Sequence, residues 1–315
     1  MFGQPEISDI LEILLFMIRS AIRELAGAED SVLVTAAFNK SPIQIWNVDT
    51  RIQLGEIDAK FASGAKNLTI HPKGLYIATG RSSATSGTIA LYETPGGSLL
   101  WERGRLKYPS HLRFSRSGES LYCTINSRTV ETIDAKTGSR TRVRDGVRAF
   151  YEGISGTTLL VPTSGDFYFI GHNATNTQVG IPRLTFALLD VAFNADSIFV
   201  AESGGPVRCM KNSGNEIWRF DPPPGSHILK LHWSIKDRCC YGILHHYKTG
   251  AFRRLLRFQQ DGREQCICDL NSWDELFVSK QNELLTSNGD IFDLADGRSV
   301  GKLAFPLIDY PEFPR

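Results

Sequence analysis

The chain has 315 residues, 42% of them hydrophobic, which is core enough for one large all-β ring or two ordinary domains. Lys plus Arg (35) and Asp plus Glu (34) nearly cancel to a formal charge of +1, so the basic footprint of a nucleic-acid binder is missing. Six cysteines (Cys123, Cys209, Cys239, Cys240, Cys266 and Cys268) are too few for a disulfide scaffold. They fall mostly in predicted strands, as the reduced, half-buried thiols of a cytoplasmic protein do.

From Met1 to Asp9 no side chain is positively charged, and Glu12 and Arg19 interrupt the apolar run behind them. Neither a secretory signal nor a membrane span is expected there. Residues Asp9 to Ala26 read as an amphipathic helix, because Ile10, Leu11, Leu14, Ile18, Ile22 and Leu25 recur at helical spacing. Asp9 and Glu12 have capping-box spacing at its start. Such a helix packs on the body of its own protein or offers a partner contact. A competing reading starts from the repeats further on. Ala26-Gly27-Ala28-Glu29-Asp30 falls where the repeat expects a strand-turn-strand corner, which makes Ala21 to Leu25 a first strand. The expected division is a helical extension over 1–30 and a repeat domain over 31–315.

The clearest repeat runs from Asn67 to Trp101. Leu68 and Ile70 alternate with polar neighbours, the period-two pattern of a half-buried strand. His71-Pro72-Lys73-Gly74 supplies turn chemistry, and Leu75-Tyr76-Ile77-Ala78 a second strand. After a small, polar loop come Thr88-Ile89-Ala90-Leu91-Tyr92, the turn Pro95-Gly96-Gly97, and Leu99-Leu100-Trp101. Four short antiparallel strands in about forty residues make one blade of a β-propeller. First-hairpin turns centre near Ala28, Lys73, Ser117, Ser155, Ala195, Lys236 and Gln281, at intervals of about 38 to 45 residues. Seven units count out, so the expected fold is an all-β, seven-bladed β-propeller of four-stranded antiparallel blades with an N-terminal α-helical extension. With the N-terminal segment helical, blade one is a strand short, and the tail Leu307 to Phe313 is expected to fill the gap.

The units resemble WD40-type and quinoprotein-like repeat propellers. Ile45-Trp46-Asn47-Val48-Asp49-Thr50 resembles the end of a WD repeat, with Asn47 where aspartate is usual. Asp134-Ala135-Lys136-Thr137-Gly138 looks like the turn after the third strand in both repeat types. The resemblance spans about residues 31 to 307 and implies the fold. The one glycine-histidine dipeptide, Gly171-His172, sits in a trailing hairpin and does not open a blade. Proteins of this resemblance serve as scaffolds, adaptors and, in some bacterial settings, neutralising partners of toxins.

Several constellations bear on chemistry. The vicinal pair Cys239-Cys240, with Trp101 and Trp218 ending their repeats, resembles the adjacent-cysteine feature of quinoprotein dehydrogenases. Two thiols in a core strand explain the pair as well. A metal-dependent hydrolase or lactonase would draw ligands such as Asp166, Glu202, Asn288 and Asp290 into the central channel, although no spacing marks these as a set. No Gly-x-Ser-x-Gly elbow, Walker motif or dinucleotide glycine motif occurs. His245-His246-Tyr247-Lys248 is the densest polar-aromatic cluster. A second-to-third-strand loop puts it on one rim with Arg81, Arg128 and Asp166.

The expected function is therefore non-enzymatic: a protein-interaction platform that docks a partner protein on its rim or in its central funnel. The candidate contact residues are Arg81, Tyr108, Arg128, Arg148, Arg183, His245, His246 and Trp273, residue types favoured at binding hot spots. No cofactor, metal or nucleic acid is expected. The alternative is the metal-dependent hydrolase using the channel.

Overall fold

The computed structural model describes residues 22–27, 32–37, 42–47, 49–58, 65–81, 83–153, 156–172, 175–185, 187–246, 252–270, 276–278, 283–286 and 290–302. Within these, the chain forms seven four-stranded antiparallel sheets, each pairing its strands in chain order. They cover residues 22–57, 65–106, 110–145, 147–182, 188–220, 226–270 and 276–302, and are called blades 1 to 7. The seven-bladed propeller read from the repeats is the observed fold. No α-helix occurs among the described residues, and no helix among them is long and apolar enough to cross a membrane.

Strand character follows each strand's place in its blade. Middle strands are covered on both faces by neighbouring blades and read as continuous apolar runs. Gly87–Glu93 buries its first six residues, and Ser197–Glu202 is buried throughout. Outer strands meet water: Arg140–Asp145 is exposed at every position except Arg144. The core is accordingly a series of clusters between adjacent blades, such as Ile43, Ile45 and Ile57 with Ile70 and Ile77.

The N-terminal expectation requires correction. Ile22–Gly27 is a strand, paired antiparallel with Val32–Ala37, so the helix expected through Ala26 does not extend over these residues and the competing strand reading holds. The propeller begins before residue 31. Helical spacing at Ile22 and Leu25 lost to the pairing available from the second strand, since tertiary pairing overrides local periodicity. The earlier part of the expected helix, Asp9 to Ala21, lies outside the described residues. Blade 1 has all four strands from its own segment, so the vacancy assigned to the tail Leu307 to Phe313 does not exist. That tail also lies outside the described residues. The ring closes because the inner strand of blade 1 lies beside those of blades 2 and 7, and Arg51 Nη2 donates to Val300 O at 3.0 Å.

One joint recurs between blades. An outer-strand side chain of one blade sits on the glycine of the next blade's third-to-fourth-strand turn. Ile57 sits on Gly97, Trp101 on Gly138, Val179 on Gly214, Trp218 on Gly262, and Cys268 on Gly297. A Cβ on these glycines would lie 2.6 to 3.2 Å from the seated side chain. All five are left-handed, with φ between 70° and 87°. Trp101 adds a hydrogen bond, Nε1 to Ala135 O at 2.8 Å. Glycine is required twice here, for its φ and for the space. Gly146 is left-handed too, at φ 70°, but nothing stands within 4 Å of its Cβ position. Gly146→Ala should therefore cost only the backbone term of about 1–2 kcal/mol. Gly262→Ala, which also drives into Trp218, should cost about 1–3 kcal/mol more from overpacking. Urea unfolding of the two variants beside the parent checks this order.

Candidate interaction face

Each blade connects to the next, and turns from its second to its third strand, on one face of the ring, here the mouth face. First-hairpin turns and third-to-fourth-strand turns lie on the opposite face. Backbone hydrogen bonds lace the mouth-face segments to one another. Tyr108 N donates to Ser83 O (2.8 Å), Asn126 N to Lys107 O (2.9 Å), and Val147 N to Arg128 O (3.0 Å). The series continues with Thr163 N to Gly146 O (2.9 Å), Arg183 N to Asp166 O (2.7 Å), and Ser203 N to Ala187 O (2.8 Å). From blade 2 to blade 5, each interblade connection is thus tied to the turns on both sides of it. A loop surface held this way is a rigid platform.

Seven of the eight sequence-expected residues lie on this face, and Trp273 lies outside the described residues. Arg81 ends the second strand of blade 2, its Nη2 at 3.4 Å from Ser86 Oγ. Tyr108 is 50% exposed in the connection between blades 2 and 3. Arg128 is exposed in a blade 3 turn and Arg148 is exposed on the inner strand of blade 4. Five non-glycine residues of this region are left-handed: Arg105, Tyr108, His111, Asn126 and Ser127, with φ between 43° and 62°. Backbone strain of this kind gathers where a surface is used.

His245 and His246 end the second strand of blade 6, half-buried, with the His245 ring 5.4 Å from that of His227. Burial holds the His245 imidazole below its ordinary pKa, and the Arg253 charge adds to this, as do His227 and His246. Arg183 is committed to the scaffold. Its Nη2 donates to Pro162 O at 2.6 Å, and its guanidinium lies 4.9 Å from the centre of the Tyr168 ring.

Sequence reasoning placed Glu202 among channel ligands, and the structure gives it another role. Fully buried at the end of a blade 5 strand, it receives Arg208 Nη2 at 2.9 Å. Its other oxygen accepts Leu184 N at 3.2 Å and Thr185 N at 3.0 Å, clasping the connection between blades 4 and 5. The other proposed ligands are not gathered. Asp290 pairs with Lys302 at 3.2 Å, and Asn288 lies outside the described residues. No group of three or more His, Cys, Asp or Glu among the described residues is placed to hold a metal. Cys239 and Cys240 are both buried, and burial pushes both thiols up. Cys266, expected half-buried, is exposed.

The central channel is lined by inner strands. Its opposite-face end opens into a cavity of about 460 Å³ walled by Arg113, Phe150, Tyr151, Glu152, His232 and Trp233 among others. Arg113 lies over the Tyr151 ring at 4.4 Å. Burial depresses the His232 pKa to about 4, with nearby Asp190 opposing the shift. This end of the channel is thus aromatic and mixed in charge, with Arg113 and Glu152 in one wall, and no group of three or more metal-ligating side chains gathers there among the described residues.

No protein-family model matches the sequence, and no curated protein matches it. Solved structures do. The chain is similar to the WD40 repeats of RRP9, with a TM-score of 0.66, 17% identity, and 84% of this chain and 86% of that one covered. U3-55K gives a TM-score of 0.63 at 17% identity, over 84% and 88% of the two chains. The computationally designed protein Ika8 gives 0.62 at 17% identity, over 90% and 86%. At this identity the likeness is one of fold: a WD40-like propeller.

Glu202→Ala strands a buried arginine and removes the acceptor for two backbone N–H groups. It should destabilise the protein by about 3–5 kcal/mol in urea unfolding, and Glu202→Gln by less.

Proposed function

We propose that this protein is a non-enzymatic interaction platform, a scaffold, adaptor or neutralising partner, that docks another protein on its mouth face and central funnel. The observation that carries the reading is the laced mouth face. It holds exposed Tyr108, Arg128 and Arg148 on a backbone fixed by interblade hydrogen bonds, so a partner binds a surface already in its bound shape. Arg and Tyr are residue types that carry binding energy at interfaces. The likeness to WD40-repeat structures supports a platform fold, and a cytoplasmic setting belongs to the proposal through the free cysteines. The hydrolase alternative gains no metal-holding cluster among the described residues.

Capture of the tagged protein from native lysate, followed by mass spectrometry, tests the reading. A stoichiometric partner protein is expected, depleted about tenfold or more by Arg128→Ala with His246→Ala at unchanged melting temperature. Retention of every co-eluting protein by the double variant would count against the mouth face. An empty eluate with tightly bound metal in the purified protein would move the hydrolase ahead.

A further inference from the structure

The opposite-face end of the channel gathers polar side chains that the mouth face does not use. Thr69, Arg113, Tyr151, Ala192 and His232 take matching places in the inner strands of blades 2 to 6. Each stands one residue before Ile70, Phe114, Glu152, Phe193 or Trp233, which pair close to the first-hairpin turns. All five line the cavity of about 460 Å³, so strand register brings together residues that are far apart in sequence.

Three of the five can hydrogen-bond and have no partner for it among the described residues. Arg113 lies over the Tyr151 ring, its guanidinium carbon 4.4 Å from the ring centre, and makes no hydrogen bond or ion pair with a described side chain or backbone group. A guanidinium held over a ring keeps N–H donors for a second partner. Tyr151 is only 6% exposed, yet its hydroxyl has no bond to a described residue. The His232 imidazole has none either, and burial keeps it neutral at physiological pH. The carboxylates nearby are held by protein groups. Glu152 accepts the Tyr122 hydroxyl at 3.1 Å and Arg116 N at 3.4 Å. Asp190, whose charge reaches both Tyr151 and His232, accepts Leu231 N at 2.9 Å.

The wall on the side of blades 5 and 6 is apolar. Val191 and Leu231 are buried, and Trp233 is fixed by stacking on Phe199 at 5.4 Å. A concave space of this size, apolar over much of its wall and with a few convergent polar groups, has the form of a small-molecule site. Its cation and its buried hydroxyl have hydrogen bonds to give, and a buried polar group without a partner is costly.

We propose that this end of the channel binds a small aromatic monocarboxylate. The carboxylate takes Arg113 and the Tyr151 hydroxyl, and the ring lies against Val191, Leu231 and Trp233. One cation without a protein partner calls for one negative charge, which favours a carboxylate over a phosphate dianion. The inference goes beyond the platform reading and does not depend on it, since the residues assigned to protein docking lie on the mouth face.

Isothermal titration calorimetry of the full chain with 2-naphthoate at neutral pH tests this. The parent should bind it with a Kd of about 0.1 mM. Arg113 is exposed, so Arg113→Gln should keep the melting temperature while weakening binding about tenfold or more. Tyr151→Phe, which removes a single oxygen, should weaken it severalfold. Arg238→Gln, on the same face but outside this cavity, should bind as the parent does. The inference is overturned by a parent that shows no binding at about millimolar ligand, or by an Arg113→Gln protein that binds as tightly as the parent. Equal binding of 2-naphthylmethylamine, or of the saturated decalin-2-carboxylate, overturns it too. So does tighter binding of naphthyl phosphate, which would remove the carboxylate class. None of these outcomes alters the capture of a protein partner by the mouth face, so the two readings fail separately.

Discussion

The joint between blades governs this molecule. A bulky outer-strand side chain needs a flat seat on the next blade, and only a left-handed glycine in a tight turn supplies one. Trp101 on Gly138 and Trp218 on Gly262 are the largest of these seats, and Ile57, Val179 and Cys268 repeat the arrangement with smaller groups. At these five of the seven joints the angle between blades is set locally, and the ring closes where the inner strand of blade 1 meets that of blade 7 and Arg51 bonds Val300. Stability in such an array is a sum of blades and nearest-neighbour interfaces.

The joints lie on the opposite face and the outer circumference, which leaves the mouth face to different rules. Its connections are short, and their backbone groups satisfy one another across blades instead of waiting for water or a partner. Glu202 extends the same principle with a side chain, holding a connection and neutralising Arg208 at once. A surface so fixed can carry strained residues such as the left-handed Tyr108 and Asn126, since their cost is spread over a scaffold that cannot relax.

Much of this was legible in the sequence. The seven hairpin turns announced seven blades because each is a local signal of glycine, proline and short polar residues between apolar runs. The mouth-face position of Arg81, Arg128, His245 and His246 followed from counting turns. What failed was local periodicity against register. Ile22 and Leu25 fit a helix stripe and an inner strand equally well, and only pairing with Val32–Ala37 decides. Arg183 looked available because its bond to Pro162 joins residues twenty-one apart.

The central claim is that partners engage the mouth of the channel and not the opposite face, where Ile235 at 75% exposure is the most exposed large hydrophobic among the described residues. A photo-crosslinking amino acid placed at position 148 in one protein and at position 235 in another, irradiated in native lysate, compares the two faces directly. The account predicts a discrete protein adduct from position 148 and none from position 235. An adduct from position 235 alone would contradict it.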